Sequence, residues 1–125
     1  MSNSKIKNLI TLYLPIFLWC AIIYYLSSIP SLKSDLPNQW DFIFRKIAHI
    51  TEYAILTFLF FRAVSKNLNY KRAISYSALF SITYALTDEY HQLFIFGREG
   101  DLGDILIDSL GVFLAIFLIY RKVKK

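Results

Sequence analysis

LITLYLPIFLWCAIIYYL, residues Leu9 to Leu26, runs for 18 positions without one charged side chain. A helix needs about 20 mostly apolar residues to cross a ~30 Å hydrocarbon layer, so this stretch reads as a transmembrane helix. Lys5 and Lys7 precede it, which raises a cleaved signal peptide as an alternative. The run is longer than the usual ~7–15-residue signal core, however, and the SSIPS that follows lacks a small-x-small cleavage pattern. A retained helix is the better reading, and a proline such as Pro15 is tolerated inside a membrane helix.

Outward from it, three further helices are predicted. With the first they occupy approximately residues 9–27, 42–64, 73–92 and 102–120. Hydrophobic residues make up 56% of the 125, and aromatics 18%, so the bilayer is expected to serve as solvent for most of the surface. The predicted fold is all-α: one membrane domain over residues 1–125, a bundle of four transmembrane helices. Cys20 is the only cysteine, which excludes an intramolecular disulfide and a multi-cysteine metal site.

Charge is distributed unevenly along this pattern. Ten basic residues and no acids flank one end of the helices: Lys5, Lys7, Arg62, Lys66, Lys71, Arg72, Arg121, Lys122, Lys124 and Lys125. The other end holds four basic residues (Lys33, Arg45, Lys46, Arg98) against all nine acids. Because cytoplasmic segments collect Lys and Arg, both termini are predicted to be cytoplasmic. The basic side sets topology and meets anionic lipid, and gives no argument for nucleic acid.

Ionisable groups inside membrane helices are costly and mark candidate sites. Arg45, His49 and Glu52 follow i, i+4, i+7 and share one face of the second helix. Tyr84, Asp88, His91 and Gln92 share a face of the third, and Asp101, Asp104 and Asp108 one of the fourth, continued by Gly111. Three polar stripes meet each other more cheaply than they meet lipid. Simpler roles compete for each residue. Asp101 and Asp104 stand where acids cap a helix N-terminus. Arg45, Lys46 and Glu89 can snorkel to the interface. Asp108 can hydrogen-bond a neighbouring helix, and the histidines can be packed tips. Tyr53, Tyr84 and Tyr90 serve equally as belt aromatics or hydroxyl donors. Asp88 and Glu89 oppose the dipole at their helix C-terminus and need an offset, from Arg45, Lys46, Arg98 or a bound divalent metal. Glu52 lies too deep to snorkel and is the strongest candidate for function.

FRKIAHITEYAILTFLFFRAV (Phe44 to Val64) and YALTDEYHQLFIFGREGDLGDILIDSLG (Tyr84 to Gly111) resemble the VanZ-like family of bacterial membrane proteins. The resemblance rests on K-x-x-H-x-x-E-Y, D-E-x-H-Q and R-x-G-D-x-x-D-x-x-x-D-x-x-G. Those patterns fall on Lys46, His49, Glu52, Tyr53, Asp88, Glu89, His91, Gln92, Arg98, Asp101, Asp104, Asp108 and Gly111. The first helix matches only in being apolar, and Phe94-Ile95-Phe96 lacks a proline expected before the Gly-Arg turn. The resemblance implies a bacterial cytoplasmic membrane protein associated with lowered susceptibility to the glycopeptide teicoplanin.

Three functions fit these residues. One is binding of a lipid-linked cell-envelope component or an anionic headgroup by Arg45, Lys46 and Arg98, with the carboxylates gripping hydroxyl, amine or amide groups. The second is an enzyme on such a lipid, using carboxylate and His acid–base or metal chemistry. No Ser-His nucleophile motif, phosphate-gripping glycine loop or HExxH motif accompanies it. The third is an ion- or proton-coupled transporter, which four helices support only as an oligomer. The expected polar cluster is Arg45, Lys46, His49, Glu52, Asp88, Glu89, His91, Gln92, Arg98, Asp104 and Asp108.

Overall fold

The structure, a computed structural model, describes residues 2–28, 38–94 and 102–124. It consists of four helices: α1 (Asn3–Ser28), α2 (Asn38–Val64), α3 (Tyr70–Gln92) and α4 (Leu102–Lys124). Each extends the predicted range by several residues at one end or both. Asn69 starts α3 as an N-cap in extended conformation, its side chain accepting from Arg72 N at 2.9 Å.

Side-chain pairs fix the relative directions. Thr11 meets Arg62 and Trp19 meets Glu52, so α1 and α2 are antiparallel. Tyr53 meets Asp88 and Thr57 meets Ser81, so α2 and α3 are antiparallel too. Tyr84 against Cys20 and His91 against Ser28 place α3 parallel to α1. Lys46–Asp104 and His49–Asp108 place α4 parallel to α2. The bundle is therefore up-down-up-down, with α1 packed on α2 and α3, and α4 packed on the same two helices.

Small residues let these helices close on one another. Ala73, Ser77, Ser81 and Ala85 recur every four residues along α3, all buried, and Asp88 and Gln92 extend that inward face. Gly111 does the same for α4. A Cβ there would overlap the Ile50 carbonyl oxygen and fall 3.1 Å from Ala54 N, so α2 and α4 cross in backbone contact. Tyr53, Leu56, Val112 and Ile23 fill the core beside that crossing. Phe60 and Phe80 stack at 4.4 Å between α2 and α3.

α1 runs through Pro15. A proline removes the N–H that would bond the carbonyl four residues back, here Thr11. Arg62 Nη2 of α2 donates to that carbonyl at 2.8 Å and satisfies it from outside.

Outward-facing surfaces are apolar. Phe17, Leu106, Leu79 and Phe113 are each more than half exposed. Three helices are long and apolar enough to cross a membrane: Asn3–Ser28, Ile43–Val64 and Gly103–Lys124. The chain is a membrane protein by this measure. α3 has 23 residues, comparable length with more polar content, and lies alongside α1 in the bundle.

Candidate functional site

The polar stripes of α2, α3 and α4 do meet. The α2–α4 crossing at Gly111 sets the depth, since Asp108 lies one turn from the glycine and His49 one residue from Ile50. His49 Nδ1 and Asp108 Oδ1 are 2.8 Å apart, and the nitrogen donates to the carboxylate. One turn nearer the helix ends, Lys46 pairs with Asp104, both partly buried. Asp104 also stands in the first turn of α4, where an acid suits the helix dipole.

From α3, Asp88 enters beside them. Its Oδ2 accepts from the Tyr53 hydroxyl at 3.2 Å, which makes Tyr53 a hydroxyl donor in the site rather than a belt aromatic. Asp88, Glu89 and Asp108 are 5%, 4% and 0% exposed, a depth at which carboxylates require partners or a cation. Glu89 is therefore a buried residue and does not snorkel. Asp108 Oδ2 has no hydrogen-bond partner among the described residues.

Arg45, His49, Glu52, Asp88 and Gln92 line one cavity of about 110 Å³, together with Ile23, Leu26, Ser27 and Ala48. Glu52 lines this cavity, and its backbone carbonyl accepts from Trp19 Nε1 at 2.8 Å, tying α1 to the site. His91 sits at the end of α3, its ring stacked on Tyr24 at 4.4 Å. Ser28 Oγ lies 2.8 Å from the Tyr24 carbonyl and 2.9 Å from His91 Nε2. The single hydroxyl proton goes to the carbonyl, so His91 is the donor to Ser28.

Of the eleven expected cluster residues, Arg98 lies outside the described residues, as does Asp101 of the motif. The other ten gather at one end of the bundle: nine in the cavity wall, the His49 pair, the Lys46 pair or the His91 contact, and Glu89 buried with a carboxylate oxygen within 4.8 Å of the His49 and Asp108 ligand atoms. The sequence reading missed α1, which contributes Tyr24, Ser27 and Ser28. Their only signal was a pair of serines closing an otherwise apolar helix. Below the site, Thr57 Oγ1 lies 2.7 Å from the Tyr53 carbonyl and 2.8 Å from Ser81 Oγ, so its polar groups are satisfied locally.

The cluster offers a guanidinium, an imidazole and several carboxylates around a small cavity. That set can hold an anionic group against Arg45, accept hydrogen bonds at Glu52 and Asp88, and move a proton at His49. No curated protein and no solved structure matches the chain. A family match runs from residue 3 to residue 123 and takes in both motif segments and α1. On that match, which covers nearly its whole length, the chain belongs to the VanZ/LLP1 family.

Proposed function

We propose that this protein crosses a bacterial cytoplasmic membrane four times, with both termini cytoplasmic, and binds the polar part of a lipid-linked envelope component at its outward end. The cavity of about 110 Å³ between Arg45, His49, Glu52, Asp88 and Gln92 carries this reading. Its volume suits a phosphate- or carboxylate-sized group, so the rest of such a lipid stays against the apolar helix faces. Arg45 takes the anion, and Glu52 and Asp88 take donors on the same ligand. Supporting the four spans, α3 runs parallel to α1 between the same two ends of the bundle. Supporting the orientation, the basic ends of α2 and α4 come together, with Arg62, Lys66 and Lys122 around one groove. Lowered glycopeptide susceptibility follows if the bound component is the one that glycopeptides target.

Expression in a teicoplanin-sensitive bacterium tests this. The parent chain should raise the inhibitory concentration, and Arg45→Gln and Glu52→Gln should each remove the increase at equal protein level. Equal protection by parent and both variants would overturn the assignment. The His49–Asp108 pair at 2.8 Å favours one second reading, acid–base catalysis on the same lipid. Catalysis requires the envelope-lipid profile to change with the parent chain and revert with His49→Gln; binding alone leaves the profile unchanged.

A further inference from the structure

We propose that His49, Glu89 and Asp108 form a binding site for one divalent metal ion with mixed nitrogen and oxygen preference, Zn²⁺ or Mn²⁺. Three helices supply one ligand each: His49 from α2, Glu89 from α3 and Asp108 from α4. Their ligand atoms all lie within 4.8 Å of one another. Ligands on one such ion, at bond lengths of roughly 2.1 Å, stand about 3–4 Å apart, so side-chain adjustments of under about 1 Å complete the shell.

Two further observations point to a cation rather than to an internal ion pair. Asp108 is fully buried, yet its Oδ2 has no hydrogen-bond partner among the described residues. An orphaned carboxylate oxygen at that depth carries the full desolvation penalty, and a coordinated ion removes it. The second is charge. Asp88, Glu89 and Asp108 are all buried within one end of the bundle, while the Lys46 ammonium is engaged by Asp104. A divalent ion would offset two of these carboxylates at once.

One imidazole and two carboxylates suit Zn²⁺ and Mn²⁺, whereas soft ions prefer thiolate. Three protein ligands also leave coordination positions for water or an anionic group. Because His49 also lines the cavity, an ion held by it borders the space assigned to the headgroup. The site does not depend on the lipid assignment, since it can be measured without any lipid ligand.

The full chain, purified in detergent and stripped with chelator, is titrated with ZnCl₂ followed by calorimetry, and with MnCl₂ followed by electron paramagnetic resonance. About one ion should bind per chain. His49→Gln, Glu89→Gln and Asp108→Asn should each weaken binding at least 10-fold, on the scale of losses at metal sites. His91→Gln, which removes the other histidine, should leave stoichiometry and affinity unchanged. Circular dichroism and monodispersity establish that each variant is folded; if Asp108→Asn is not, His49→Gln and Glu89→Gln decide. Absence of a stoichiometric ion in the folded parent overturns the site. So does binding that survives His49→Gln but is lost with His91→Gln. Metal binding without glycopeptide protection removes the lipid reading and leaves this site standing; protection without metal binding does the reverse.

Discussion

At the scale of single residues, buried polar atoms are worth what their partners make them. Tyr53 is fully buried and donates to Asp88, so Tyr53→Phe keeps the ring packing and leaves Asp88 without that donor. The expected cost is about 1 kcal/mol, read as a lower midpoint in thermal or denaturant unfolding in detergent. Arg62 completes the Thr11 carbonyl that Pro15 leaves open. Arg62→Leu should cost about 1–2 kcal/mol, and Arg62→Leu with Pro15→Ala should recover part of it, because alanine restores the helical N–H. A double-mutant cycle that finds the two substitutions additive would show that Arg62 stabilises the chain by another route. The spacing of His49 and Glu52 on one face was legible in the sequence. The bond between Arg62 and the Thr11 carbonyl that Pro15 leaves open was not, since it joins residues 51 apart through helix packing.

At the scale of elements, the site exists because α2 and α4 touch backbone to backbone at Gly111. Any side chain at that position pushes the helices apart and separates His49 from Asp108. Gly111→Leu should therefore destabilise by about 2 kcal/mol or more, and Gly111→Ala by less. Either change should also reduce glycopeptide protection, although Gly111 does not line the cavity. Loss of stability with full retention of protection would mean that the α2–α4 pairing is not needed for function. The sequence placed Gly111 on the aspartate stripe and made contact among the three polar faces cheaper than their contact with lipid. It could not assign partners: Lys46 goes to Asp104 and Asp88 to Tyr53, choices set by helix direction and crossing depth. Nor did it show that α1 takes part, because Ser27 and Ser28 are unremarkable at the end of an apolar helix.

At the scale of the whole molecule, the chain is an up-down-up-down bundle with apolar outer faces, with Arg62, Lys66 and Lys122 around a groove at one end and the buried acids together with Arg45 and Lys46 at the other. The all-α fold and the asymmetry of charge were both readable, since they depend on composition and period rather than on contacts. Hydropathy alone ranks α3 below the other three helices, because its Ser, Asp, Glu and Gln positions lower its mean, and those that are buried face inward. The proposed four crossings with cytoplasmic termini require a C-terminal reporter to be active only as a cytoplasmic fusion, and a cysteine placed at position 98 to react with an impermeant reagent from outside. The reverse pattern of labelling would refute that topology.

What most directly examines the polar site is the lipid that stays with the protein. Parent chain, Glu52→Gln and Asp88→Asn, purified identically from the same host, are compared by native mass spectrometry. A site at Arg45, Glu52 and Asp88 requires the parent to carry one envelope-derived anionic lipid adduct that both variants lose at least 10-fold, with the helical circular dichroism intact. Identical adducts on all three folded proteins, or none on the parent, would contradict it.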